Sequence, residues 1–106
     1  MLFRSSEGDV VEQIVDGLTA LKYKVLKVGQ WRADFAGTTP GTPDLFVTKP
    51  GCPVFAGLEV KTPKAIKTTH KGCSEAQWKL HTAGHTEVVS SFEEALEAVR
   101  AALGTR

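Results

Sequence analysis

The chain has 106 residues, of which 42% are hydrophobic and 24% are charged, and its formal net charge is +1. This length suits one domain with one core, so we expect a single domain over residues 1–106. No apolar run is long enough to cross a membrane, and the N-terminus carries acidic residues where a secretory signal would be apolar. These features favour a cytoplasmic protein without a membrane partner.

The first predicted element is an amphipathic helix. Ser6 is a good N-cap, and the apolar residues after it recur at helical spacing: Val10, Val11, Ile14, Val15, Leu18 and Leu21. A strand is predicted from Tyr23 to Val28, and the polar, glycine-containing stretch 30–40 is predicted to be a loop.

A β-hairpin is predicted in the middle of the chain. Segments 44–48 and 54–61 are rich in β-branched and aromatic residues, and the segment 50–53 between them, Pro-Gly-Cys-Pro, has the composition of a turn. Antiparallel pairing of the two segments is therefore expected.

A helix, a strand and a last helix follow the hairpin. Segment 74–83 is predicted to be a helix closed by Gly84, segment 86–89 a short strand, and Ser91 opens the last helix with a capping box to Glu94. The apolar side of that helix carries Phe92, Ala95, Leu96, Val99 and Leu103. Strands mixed with covering helices imply an α/β fold, a three-layer sandwich in which helices flank a central mixed β-sheet.

Two carboxylates converge in the predicted hairpin. With the turn centred between Gly51 and Cys52, Asp44 pairs with Glu59, so their Cβ atoms lie about 5 Å apart. One divalent cation can bridge that spacing. Side chains alternate along a strand, so Lys61 shares a face with Glu59. Without a cation, carboxylates placed opposite each other repel and destabilise the ladder.

These charges also have a plain explanation as solvated residues on the polar face of an amphipathic hairpin. Two features favour a site instead. Segment 54–61 is otherwise almost wholly apolar, where an unneeded charge pair is costly. Pro43 and Pro63 bracket the motif and fix the ends of the strands.

The first helix offers a further acid. At about 100° per residue, Glu7 lies roughly 40° from Val11 and extends the buried stripe, whereas Glu12 lies roughly 100° away on its flank. Glu7 is therefore predicted to point at the sheet. The alternative, that an acid in the first turn only complements the helix dipole, stays open.

A run of cations follows the second strand of the hairpin. Four lysines and no acid lie between Val60 and Cys73: Lys61, Lys64, Lys67 and Lys71. Lysines that neutralise backbone phosphates release counterions whatever the base sequence, so this loop suits a nucleic acid. Arg32 is a further candidate for the same basic surface. The alternative is a solvated surface loop.

The order of these motifs resembles the VRR-NUC domain, a branch of the PD-(D/E)XK restriction-endonuclease-like nucleases. The resemblance rests on Gly41-Thr42-Pro43-Asp44, then Glu59-Val60-Lys61, then Ser74-Glu75-Ala76-Gln77, and it covers the chain from the first helix to the last. It implies metal-dependent phosphodiester cleavage on a restriction-endonuclease-like fold. The implied ligands of Mg²⁺ or Mn²⁺ are Asp44, Glu59 and the Val60 carbonyl, with Lys61 beside the attacking water.

The resemblance also implies roles for two further residues. The spacing from Glu7 to Leu18 is similar to the family's first motif, in which a helix glutamate faces the metal site. The equivalent of Gln77 lies beside the active site, where an amide could hold Lys61 or a phosphate oxygen. A capping box between Ser74 and Gln77 would by itself explain both of those residues.

We therefore expect a hydrolase, a metal-dependent DNA endonuclease that acts on branched DNA such as four-way (Holliday) junctions or flaps, without a small-molecule cofactor. Two alternatives stay open: a catalytically silent nucleic-acid-binding module of the same fold, and a nuclease that cuts RNA. Stand-alone members of the resembled family act in pairs, so a homodimer is expected. Three large apolar side chains are candidates for its interface or, alternatively, for the core: Trp31, Phe35 and Trp78.

Overall fold

The computed structural model describes residues 6–28 and 41–104. Along the chain the elements are α1 (Glu7–Ala20), β1 (Lys24–Lys27), β2 (Leu45–Thr48), β3 (Ala56–Val60), α2 (Glu75–Thr82), β4 (Thr86–Val89) and α3 (Phe92–Leu103). Two short 3-10 helices, Ala65–Lys67 and Thr69–Gly72, connect β3 to α2. The predicted order of helices and strands is confirmed. The loop predicted at 30–40, with Trp31, Arg32 and Phe35, lies outside the described residues.

The four strands form one mixed sheet in the order β1-β2-β3-β4. β1 pairs with β2 and β2 with β3 in the antiparallel sense, whereas β3 and β4 are parallel. The parallel pair needs a crossover connection, and α2 lies within it. The predicted mixed sheet is therefore confirmed.

One hydrophobic core joins α1 and α3 to the sheet. Its buried members from the strands include Leu45, Val47, Leu58 and Val60, which share one face because side chains alternate. The helices contribute Val10, Ile14, Leu18, Ala95, Val99 and Leu103. None of the core residues comes from α2, which packs against β4 instead. This arrangement gives the predicted three-layer α/β fold.

Close contact between α1 and α3 depends on a glycine. A Cβ atom at Gly17 would overlap the ring of Phe92, the first residue of α3. The α-helices begin directly after the predicted N-caps Ser6, Ser74 and Ser91. Leu21, predicted to extend the buried stripe, is instead 48% exposed because α1 ends at Ala20.

One predicted cap differs in detail. The Ser91 hydroxyl accepts from the Glu94 amide as expected, but Glu94 does not return the bond to Ser91. Its Oε1 atom accepts instead from the amide and the hydroxyl of Ser90, at 2.7 and 3.0 Å. The carboxylate thus holds the residue before the cap.

The hairpin has the predicted register but a shorter second strand. Leu45 pairs with Leu58 and Val47 with Ala56, so the ladder, extended by one residue, sets Asp44 opposite Glu59. The predicted strand 54–61 begins only at Ala56. The Thr48 hydroxyl donates to the Val54 carbonyl at 2.7 Å, which holds that segment in the turn, and Phe55 is 52% exposed.

None of the helices in the two described ranges combines the length and apolar character that a bilayer-spanning segment needs.

Candidate metal centre

Packing on both sides fixes the turn that precedes Asp44. Gly41 has a φ of 88°, and a Cβ atom there would lie 2.8 Å from the backbone carbonyl of Ala76 in α2. Pro43 is buried, and its ring lies over Gly57, where an added Cβ would come within 3.1 Å of it. Glycine suits position 41 for two reasons: a positive φ is strained for other residues, and there is no room for a Cβ atom beside Ala76. The turn therefore fixes the position of Asp44, which directly precedes β2.

The carboxylate of Asp44 links β2 to the end of β3. Its Oδ2 atom accepts a hydrogen bond from the Val60 amide at 2.9 Å. The N–H and C=O of one strand residue point to the same side of the strand, so the Val60 carbonyl also faces the side of Asp44. This direction suits the ligand role that the resemblance implies for that carbonyl.

Glu59 is a charged residue in a fully buried strand. All five residues of β3 are buried, and Glu59 is 2% exposed. Because side chains alternate, it points to the face opposite Leu58 and Val60. A buried carboxylate needs compensation by hydrogen bonds, a counter-charge or a metal ion, since its desolvation is costly.

Three carboxylates from three elements meet at this end of the sheet. Oxygen atoms of Glu7, Asp44 and Glu59 all lie within 4.8 Å of one another. Glu7 is the first residue of α1 and is exposed. Glu12, the other acid considered on that helix, forms an ion pair of 3.3 Å with Lys27. The geometry thus brings Glu7, and not Glu12, to Asp44 and Glu59.

The donor set fits a hard divalent cation. Mg²⁺ lies about 2.1 Å from each oxygen ligand, so the ligands of one ion are at most about 4.2 Å apart. Small rotations of the carboxylates would bring the observed spacing of up to 4.8 Å into this range. Oxygen-only ligands favour Mg²⁺, Mn²⁺ or Ca²⁺ over Zn²⁺. The residues present therefore fit the implied metal.

Lys61 and Gln77 are held together beside the carboxylates. The Lys61 ammonium donates to Gln77 Oε1 at 3.1 Å. The same oxygen accepts from the backbone N–H of Ser74 at 2.8 Å. The Ser74 hydroxyl in turn accepts from the backbone N–H of Gln77 at 3.2 Å. The capping box and the contact with Lys61 are thus both present, and one amide oxygen serves both.

The basic loop lies on the surface between β3 and α2. Lys64, Lys67 and Lys71 are all exposed. Lys71 and Lys61 both act electrostatically on the thiol of Cys73, and Lys71 also lines the larger of the two cavities along β4 and α3. For Lys64 and Lys67 the described contacts give no such link. Arg32 lies outside the described residues.

Sequence reasoning did not predict that Cys73 lies close to the charged groups. Burial raises the pKa of its thiol, and the smaller electrostatic effects come from Lys61 and Lys71, which lower it, and from Glu59 and Asp44, which raise it. The thiol is therefore within electrostatic reach of the cluster. No motif signals this proximity, because it depends on the path of the segment between β3 and α2.

Two cavities lie away from the carboxylates, along β4 and α3. Their volumes are about 290 and 370 Å³, and both are lined by Glu87, Ala98 and Ala101. The carboxylate cluster lines neither of them. A polymer backbone can approach an open surface, so the cluster needs no enclosed pocket to meet a phosphodiester.

Comparison of the chain with models of known protein families, with curated proteins and with solved structures finds no match.

Proposed function

We propose that this protein is a divalent-metal-dependent DNA endonuclease that acts on branched DNA. The observation that carries the proposal is the meeting of Glu7, Asp44 and Glu59 within 4.8 Å, on three separate elements, beside a lysine fixed by Gln77. Like charges gathered from three elements repel one another, and a bound cation would offset that repulsion.

The metal site would be formed by the three carboxylates and the Val60 carbonyl. When bound there, Mg²⁺ or Mn²⁺ would polarise a phosphoryl oxygen and lower the pKa of a bound water. The carboxylates supply the negative charge that retains the ion, and the burial of Glu59 limits competition from bulk water. The Val60 amide keeps Asp44 oriented through its hydrogen bond.

Lys61 supplies the fixed positive charge of the proposed site. An ammonium group has three N–H donors, and Gln77 accepts one of them. The other two can donate to a phosphate oxygen and to the attacking water. In this position Lys61 offsets negative charge that builds up on the phosphate during hydrolysis.

The choice of substrate rests on the basic loop and on the resemblance. Lys64, Lys67 and Lys71 are exposed on one connection and can neutralise backbone phosphates without regard to base sequence. Branched DNA as the target, and a homodimer that cuts two strands of a junction, come from the resemblance to the VRR-NUC domain. The two alternatives are a nuclease that cuts RNA and a silent nucleic-acid-binding module, and the cleavage test distinguishes both from a nuclease that cuts branched DNA.

Cleavage of labelled DNA tests the proposal. Hairpin, flap, nicked and four-way junction substrates, with matched RNA versions, are incubated with Mg²⁺, Mn²⁺ or EDTA. We expect metal-dependent cleavage of branched DNA. We also expect Asp44→Asn, Glu59→Gln and Lys61→Ala each to abolish it, with circular dichroism spectra like that of the wild type.

Glu87→Gln is the matched control, since Glu87 is an exposed glutamate on the neighbouring strand β4. It should cleave like the wild type. Normal cleavage by all three site variants would reject the site. Binding of branched DNA without cleavage in any metal would instead identify a silent module, and cleavage confined to RNA would identify the other alternative.

A further inference from the structure

Trp78, on α2, contacts the rings of two histidines. Its ring is stacked on His70, with centroids 4.6 Å apart and planes 9° from parallel. The ring of His81 lies 5.4 Å away and is tilted by 45°. The His81 Nδ1 atom is 2.9 Å from the Thr86 carbonyl, which ties the group to β4. The stacked pair of His70 and Trp78 is therefore in contact with a third ring that is anchored to the sheet.

His70 remains exposed in this stacked pair. The residue is exposed although Trp78 covers one face of its imidazole. Within the described residues, Trp78 is the aromatic ring that stacks on it. A flat, rigidly backed aromatic face on a surface is suited to stacking with another planar group.

The backbone holds His70 in this position at a cost. His70 and Lys71 both have a φ of 53°, in the left-handed region, and Gly72 follows with a φ of 78°. This region is strained for residues other than glycine, and such strain occurs preferentially at functional sites. Hydrogen bonds from Lys71 to Thr68 and from Cys73 to His70 close the strained turn.

The stack adjoins the proposed site. Trp78 directly follows Gln77, which binds Lys61, and Lys71 directly follows His70. Because the Trp78 ring stacks on His70, a DNA strand whose phosphate reaches Lys61 would pass close to the turn that carries His70.

We propose that the face of the His70 ring opposite Trp78 stacks with one unpaired base of a single-stranded DNA segment, while Lys71 neutralises a neighbouring phosphate. The inference rests on the proposed function and adds to it how the strand is held. Stacking on an aromatic side chain accepts any base, because every base has a π-face. This platform, formed by His70 and Trp78, would thus favour unpaired strands, such as flaps and junction arms, over closed duplex.

Binding without cleavage tests the platform. Fluorescence anisotropy in EDTA measures the affinity for a labelled DNA strand of about 12 nucleotides, which is within the usual site size. A second strand of equal length and charge has abasic residues throughout its central part. We expect the wild type to bind the intact strand about tenfold tighter, the equivalent of roughly 1.4 kcal/mol of stacking.

His70→Asn is the variant of choice, because asparagine tolerates the left-handed backbone better than alanine does. It should bind the intact strand about tenfold more weakly than the wild type and bind the abasic strand like the wild type. His85→Asn is the control, since His85 is an exposed histidine outside the stack, and it should retain the full preference.

Two results would overturn the inference: equal binding of both strands by the wild type, or an undiminished preference in His70→Asn. The first comparison needs no variant and so does not depend on the folding of His70→Asn. Cleavage of branched DNA without a preference for the intact strand would reject the platform and leave the nuclease proposal standing. A preference for the intact strand, without cleavage in any metal, would reject the nuclease proposal and leave the platform standing.

Discussion

The side-chain oxygen of Gln77 makes two contacts at once. It accepts from the Ser74 amide at the start of α2 and from the Lys61 ammonium at the end of β3. The cap is readable in the sequence because Ser-x-x-Gln is a local pattern. The contact with Lys61 joins residues 16 positions apart, so local spacing does not predict it, and it was expected only from the resemblance.

Replacement of the two acids of α1 should have different effects. Glu7→Gln removes one of the three clustered carboxylates, so we expect it to lower cleavage activity strongly. Glu12→Gln breaks the ion pair with Lys27, which is partly exposed, and should cost no more than about 1 kcal/mol of stability. Cleavage rates are compared at saturating Mn²⁺. Equal activity of the two variants would return Glu7 to the role of complementing the helix dipole.

The ionisation of Cys73 reports on the charged cluster. Burial raises the pKa of its thiol, so the folded protein keeps the neutral thiol at pH values where the unfolded chain has ionised. This contribution to stability is fully present below the pKa of the unfolded thiol and is lost as the pH rises through the folded pKa. The free energy of unfolding should therefore decrease across that interval.

Alkylation rates in a Cys52→Ser background measure the thiol directly in metal-free protein. Glu59→Gln removes an influence that raises the pKa of Cys73 and should speed alkylation, whereas Lys61→Ala removes one that lowers it and should slow alkylation. Equal rates in the two variants would mean that the thiol does not sense these two charges.

The candidate site shows how far residue-level prediction reaches. Asp44 opposite Glu59 follows from strand alternation and a centred turn, both of which are regular features of a hairpin. The place of His70 does not follow, because residues other than glycine only occasionally adopt the left-handed backbone that the turn requires. Cys73 was missed for the same reason, since its position depends on that turn.

At the level of elements, contact between α1 and α3 gives a sharp test. We expect Gly17→Ala to lower the free energy of unfolding by about 1–3 kcal/mol, because the added methyl displaces the Phe92 ring. Gly8→Ala in the same helix meets only the Ser6 hydroxyl at 3.7 Å. It should be neutral or stabilise by up to about 1 kcal/mol through helix propensity.

Urea unfolding of both variants measures the difference. If Gly17→Ala were as stable as Gly8→Ala, the ring of Phe92 would have to pack elsewhere than against α1.

The presence of each helix and strand was predicted better than the residues at which it begins and ends. Helical spacing and caps identified all three helices, because each signal lies within one segment. The start of β3 was placed two residues too early, since Val54 and Phe55 have strand composition. A side-chain bond from Thr48 decides that end, and composition does not show such a bond.

At the scale of the whole molecule, we predict a homodimer. A junction has two strands to cut, one chain offers one such carboxylate cluster within its described residues, and a two-fold axis would supply a second. Trp78 is half-buried and contacts two histidine rings, whereas Val54 and Phe55, next to each other before β3, are 49% and 52% exposed. Exposed apolar groups of this kind often mark an interface.

Sedimentation equilibrium at micromolar concentration should show a dimer, and four-way junctions should be cut in pairs. A monomer that nicks flaps but never makes paired cuts would reject the dimer and retain the nuclease.

The parallel pairing of β3 with β4 also orders the folding of the protein in time. β2 and β3 are joined by a short turn, so Asp44 and Glu59 can meet early. β4 pairs with β3 only after the chain between them has closed a long loop, and such closure is slow because its entropy cost comes before the contacts form. Gln77 lies within that loop, so we expect it to reach Lys61 late. We therefore expect pulse-labelled hydrogen exchange to protect β2 and β3 before β4, so that the two carboxylates approach each other before the lysine is fixed beside them.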